Sequence, residues 1–143
     1  MTKKYNNVFI EDAYTICGNY ENDGPLSKYF DKKYEKDLYF GEKSWEQAEV
    51  HLLKEANTNI LKKNKLKEED IDLLISGDLQ NQIAASNYMA REFNIPFLGI
   101  FEACSTSGEG LAIGSTYIEG GFAKRILVST SSHNMAAEKQ FRN

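Results

Sequence analysis

The chain has 143 residues, 17 of them basic and 21 acidic, for a formal net charge of −4. This length suits one domain or part of one, and an acidic balance without a basic stripe excludes nucleic acid as a partner. Cys17 and Cys104 lie far apart and only His51 and His133 could join them, so neither a metal site nor a disulfide framework is expected, and a reducing compartment follows.

The start, Met1-Thr2-Lys3-Lys4-Tyr5-Asn6-Asn7, lacks the apolar core of a signal peptide, and the longest apolar runs fall short of a membrane span. A soluble chain is expected, meeting a membrane peripherally or through a partner. Val8-Phe9-Ile10 and Tyr14-Thr15-Ile16-Cys17-Gly18 read as an opening strand region. Asn22-Asp23-Gly24-Pro25 is turn chemistry, and it opens an aromatic, charged excursion over about 22–43. Leu26, Tyr29, Phe30, Tyr34, Leu38, Tyr39 and Phe40 give it too much apolar surface for a disordered linker. It packs either on its own domain or on a partner.

Ser44, with Gln47 three residues on, forms a capping box for a helix whose buried stripe is Trp45, Ala48, Leu52, Leu53, Ala56, Ile60 and Leu61. His51 falls beside Lys54 and Glu55 and reads as surface. Asn64 stops the helix, and the run Lys62-Lys63-Asn64-Lys65-Leu66-Lys67, followed by Glu68, Glu69 and Asp70, reads as its solvated end. Ile71-Asp72-Leu73-Leu74-Ile75-Ser76 is a strand, and the turn from Gly77 to Gln82 leads into a helix from about Ile83 to Phe93. Asp78, Asn81 and Gln82 sit where ligands bind in an open α/β sheet; Asp78 reads equally well as a helix cap.

Ile95-Pro96-Phe97-Leu98-Gly99-Ile100-Phe101 is the next strand, and it delivers Cys104 to the N-terminus of a helix of small and apolar residues. Two readings stand for that thiol. It is a small buried hydrophobe, or it lies where helix amides lower its pKa or hold a bound anion. Gly120-Gly121 breaks the helix, Ile126-Leu127-Val128-Ser129-Thr130 makes another strand, and Ser131-Ser132-His133-Asn134 follows. Strands alternating with helices call for right-handed crossovers and a mostly parallel α/β sheet with helices on both faces. Asp78, Cys104 and His133 then fall at three strand ends along one edge of the sheet.

Glu-Ala-Cys-Ser-Thr-Ser at a strand-to-helix turn resembles the nucleophile turn of the thiolase and ketoacyl synthase superfamily. Several longer segments resemble the N-terminal half of the stage V sporulation protein AD family, a thiolase-like group of spore-forming Firmicutes. They are Asp23-Gly24-Pro25-Leu26, Ile71-Asp72-Leu73-Leu74 with Gly77-Asp78-Leu79, Ile95-Pro96-Phe97-Leu98, Ala103-Cys104-Ser105-Thr106-Ser107, Gly120-Gly121-Phe122-Ala123-Lys124-Arg125, and Thr130-Ser131-Ser132-His133-Asn134 with Glu138, Gln140, Phe141 and Arg142. The resemblance weakens at the extreme N-terminus and in the excursion. It implies that residues 1–143 are one thiolase-like half-domain.

It also implies a non-enzymatic role: binding dipicolinic acid, pyridine-2,6-dicarboxylate, alone or with calcium, and without a cofactor. The setting it implies is peripheral, at the spore inner membrane, beside the other subunits of a channel that moves calcium dipicolinate during sporulation and germination. Cys104, Ser105, Thr106, Asp78, Asn81, His133 and Asn134 are the expected ligand-binding residues, with His133 protonated to meet a dianion. Asp78 suits a dianion only by orienting a donor, staying protonated or bridging through calcium. Acyl transfer through Cys104 is the alternative, with His133 as its base, because the superfamily's other catalytic groups come from the second half. A scaffolding half-domain is the third reading. Uncovered parallel sheet and free strand edges predict at least a homodimer.

Overall fold

The computed structural model describes residues 2–142. Its centre is a three-stranded parallel sheet in the order β4–β3–β5, with β3 spanning Leu73–Gly77, β4 Phe97–Gly99 and β5 Ile126–Thr130. In register, Leu74 faces Phe97 and Leu127, and Ile75 faces Leu98 and Val128. Alternation along these strands supplies both faces with apolar side chains, as a covered parallel sheet requires. Leu74 joins Leu53, Leu61, Ile71, Met89 and Ile95 in the main core, with Leu127 packed against it. This face is covered by α2 (Trp45–Lys63) and α3 (Ala84–Ala90). Ile75 and Val128 face the other way, toward α4 (Thr106–Glu119). Gly110 and Gly114 let α4 lie against the sheet: a Cβ on Gly110 would come within 2.6 Å of Val128 Cγ1.

Ser44 caps α2 as expected, its hydroxyl accepting the amide N–H of Gln47 at 3.2 Å. The buried residues of α2 are Ala48, Glu49, Leu53, Asn57 and Leu61, a stripe centred on every fourth residue from Glu49. Two polar groups thus sit where only apolar ones were expected.

Several expectations need correction. The opening strand shrinks to β1 (Ile16–Cys17), which pairs in parallel with β2 (Lys32–Lys33) in a separate two-stranded sheet. Val8–Ile10 takes no strand partner, and Phe9 and Ile10 are exposed. A strand needs a neighbour for its backbone groups, and the Val8–Ile16 segment instead lines an open hollow together with residues of β5.

The helix expected at Ile83 begins at Ala84, because Gln82 and Ile83 both take left-handed backbone (φ 59° and 49°). In this position the Ile83 Cδ1 occupies the space a Cβ on Gly99 would need. The same helix stops at Ala90, short of Phe93. Finally, a fifth helix not expected from the sequence, α5 (Asn134–Phe141), follows β5.

A short helix α1 (Asn19–Asn22) leads into the excursion, which holds β2 and packs on its own domain. Tyr34 packs against Phe40 (4.6 Å between centroids), and Tyr39 stacks on Trp45 of α2 (5.9 Å). His51 is half-buried rather than on the surface. Its Nδ1 lies 3.1 Å from Glu42 and its Nε2 3.2 Å from the Tyr34 hydroxyl, so it ties the excursion to α2.

Candidate functional site at the strand ends

The three parallel strands end together, as expected, but the sheet divides the residues that follow them. Gly77 closes β3 with its missing side chain turned toward α4, and a Cβ there would meet Thr106 Cγ2 at 2.6 Å and collide with the carbonyl oxygen of Ile100. The absent side chain admits the Cys104 turn to the sheet edge. Asp78, one residue on, points to the opposite face.

On the α4 side, Ala103-Cys104-Ser105 is a single 3-10 turn leading into the helix, with Ala103 strained at φ 46°. The Thr106 hydroxyl pins it, accepting the amide N–H of Glu102 at 3.1 Å and donating to the Ala103 carbonyl at 2.8 Å. The Ser105 hydroxyl donates to the Glu102 carbonyl at 2.9 Å, so α4 starts without a side-chain cap. Cys104 is exposed, which overturns its reading as a buried hydrophobe. Cys17 takes that part instead: it is buried, and burial, reinforced by Glu21 and opposed by Lys33, pushes its thiol up.

On the α2 side lies a buried polar cluster. Asp78 is 1% exposed; its Oδ1 accepts the Gln80 amide N–H at 2.8 Å and its Oδ2 that of Ser86 at 2.7 Å. It therefore braces the β3–α3 turn, the cap reading of the two open to it. His133 caps α5: its Nδ1 accepts the Ala136 N–H at 3.4 Å and its Nε2 lies 2.8 Å from the Leu38 carbonyl. Both ring nitrogens are thus engaged within the chain, turned away from the Cys104 turn. Its ring also meets Phe40 edge-on at 5.6 Å.

Asn81 and Asn134 are both exposed; the Asn81 amide N–H donates to Gln140 Oε1 at 2.6 Å, and Asn134 opens α5. Gln82 is spent on backbone geometry, its carbonyl accepting from Asn87.

Glu49 was not foreseen. It is fully buried on α2, its Oε2 2.8 Å from Gln80 Nε2 and its Oε1 2.9 Å from Ser131 Oγ. Burial pushes its carboxyl above the ordinary range; nearby Asp78 adds to that, while the Gln80 and Ser131 bonds and any charge on His133 oppose it. A readable signal existed: Glu49 falls four residues before Leu53, inside the apolar stripe.

Among the described residues, no group of three or more His, Cys, Asp or Glu is placed to hold a metal ion. In the same residues no helix is long and apolar enough to cross a membrane.

Residues 2–143 match the family described as stage V sporulation protein AD. The stage V sporulation protein AD of Bacillus subtilis (strain 168) is 51% identical over 135 residues, covering 94% of this chain and 40% of that protein. The chain thus spans about two fifths of that relative's length. Among solved structures, 3-oxoacyl-[acyl-carrier-protein] synthase III from Aquifex aeolicus VF5 superposes with a TM-score of 0.54 at 23% identity, over 59% of this chain and 30% of that one. At that identity the likeness concerns the fold, which is thiolase-like.

Proposed function

Because the chain belongs to the stage V sporulation protein AD family, we propose that it serves sporulation as a non-enzymatic subunit that binds dipicolinate at its strand-end edge. The observation that carries this is the Cys104 turn. A 14-residue helix begins there without a side-chain cap, and Cys104 and Ser105 are exposed beside it. The first-turn amides and the positive end of the helix dipole suit a carboxylate. Ser105 and Thr106 serve that site by holding the turn, their hydroxyls donating to the Glu102 and Ala103 carbonyls, while Asp78 and His133 act from behind the sheet edge by fixing the turns. Asn81 and Asn134, both exposed, stand as outer contacts for the ligand, which arrives alone or with calcium.

Acyl transfer through Cys104 is less well supported. A thiol nucleophile needs a base within hydrogen-bond reach, and both nitrogens of His133 are engaged by Leu38 and Ala136. The wider role we assign is peripheral, at the spore inner membrane beside the other subunits of a channel for calcium dipicolinate in sporulation and germination. β4 and β5 each have one hydrogen-bonded neighbour in the three-stranded sheet, and Leu26 and Tyr29 are exposed on the excursion. Such edges and apolar surface favour association, so the working unit is at least a homodimer; sedimentation as a monodisperse monomer would contradict that.

Isothermal titration with dipicolinate, with and without calcium, tests the ligand. Saturable heat is expected, and its absence in both titrations rejects dipicolinate as the ligand of this chain.

A further inference from the structure

The buried carboxyl of Glu49 bridges the two loops that follow the paired ends of β3 and β5. Gln80 follows the end of β3 and Ser131 follows the end of β5; besides the Glu49 bridge, a long 3.4 Å bond from the Ser131 amide to the Gly77 carbonyl links these segments. Glu49 reaches both from α2.

The titratable groups that face it are Asp78 from the β3–α3 turn and His133 from the turn before α5. His133 is engaged by Leu38 and Ala136 rather than by Glu49, and both oxygens of Asp78 already accept backbone N–H groups. A second anion in the same buried cluster is costly, and only Glu49 has a side-chain partner that can reverse its role: the Ser131 hydroxyl, placed to donate to Oε1 at 2.9 Å, can also accept a hydrogen bond from a protonated carboxyl.

We propose that Glu49 is a protonated latch, accepting from Gln80 Nε2 and donating to Ser131 Oγ, whose loss of a proton loosens the ends of β3 and β5 from α2. The proposal concerns how the edge is held and stands whatever ligand that edge takes. The proton leaves Oε1 for solvent base, and the resulting carboxylate lies near Asp78 with only the neutral Gln80 and Ser131 as hydrogen-bond partners.

The test compares the full chain with Glu49→Gln and Glu49→Ala in thermal melts across pH 4.5 to 8.5. Glutamine reproduces the protonated acid, with an oxygen toward Gln80 and an amide toward Ser131, and it cannot ionise. A group whose folded-state pKa lies above its unfolded value gives stability that is complete below the unfolded value and lost as pH rises through the folded one. The wild-type Tm should therefore match that of Glu49→Gln near pH 4.5, the ordinary carboxyl value, and then fall behind it by about 4 °C per pH unit until Glu49 ionises. Glu49→Ala, which loses both bonds, should melt lower than Glu49→Gln at every pH. Parallel wild-type and Glu49→Gln profiles would overturn the latch, and so would failure of Glu49→Gln to fold.

Discussion

His133 Nε2 lies 2.8 Å from the carbonyl oxygen of Leu38, so a residue from the end of the sheet holds down an excursion 95 positions earlier. The same ring accepts the Ala136 N–H and starts α5. His133→Ala should lower unfolding stability by about 2 kcal/mol, the loss of one cap and one part-buried hydrogen bond. It should also hasten proteolysis between Asp37 and Lys43. Urea denaturation and limited digestion measure the two effects, and an unchanged midpoint with an unchanged cleavage pattern would rule out the tether.

Two glycines at the site should respond oppositely to the same change. Gly77→Ala places a methyl against the Ile100 carbonyl and Thr106 Cγ2, where backbone cannot yield, and should cost about 2 kcal/mol or more. Gly108 lies in the first turn of α4, where an added methyl would meet nothing within 4 Å, so Gly108→Ala should stabilise by about 0.5–1 kcal/mol. Equal effects in denaturant melts would mean that the Cys104 turn does not approach β3 as described.

Asp72 predicts acid sensitivity of the opposite sign to Glu49. Its carboxylate accepts the amide N–H groups of Arg125 and Lys124, which hold it below the ordinary value of 3.8. A depressed folded-state pKa gives stability that is present above the unfolded value and lost as pH falls through the folded one. The stability gap between wild type and Asp72→Asn should therefore be full at pH 5 and close below pH 3.8. A gap that persists unchanged to pH 2 would contradict the assignment.

The sheet was legible because its strands carry apolar residues on both faces: Ile126–Thr130 falls at the expected positions, and so do the Ser44 cap and the Gly120-Gly121 break. Local periodicity misled where tertiary contact decides. Val8–Ile10 has strand composition without a strand neighbour, and Ile83 takes left-handed backbone where its side chain packs over Gly99. At the site, the sequence aligned Asp78, Cys104 and His133 along one edge, but it could not show that alternation past Gly77 sends Asp78 and the Cys104 turn to opposite faces. Glu49 escaped notice because its partners, Gln80 and Ser131, are 31 and 82 residues away.

The most direct test of a ligand at the strand ends is the alkylation rate of Cys104 in the native protein, read by mass spectrometry with and without dipicolinate. Cys104 is exposed and Cys17 buried, so the second thiol serves as an internal control. Bound dipicolinate at the start of α4 should slow labelling of Cys104 severalfold while Cys17 stays protected in both samples. An unchanged Cys104 rate at millimolar dipicolinate would contradict the account.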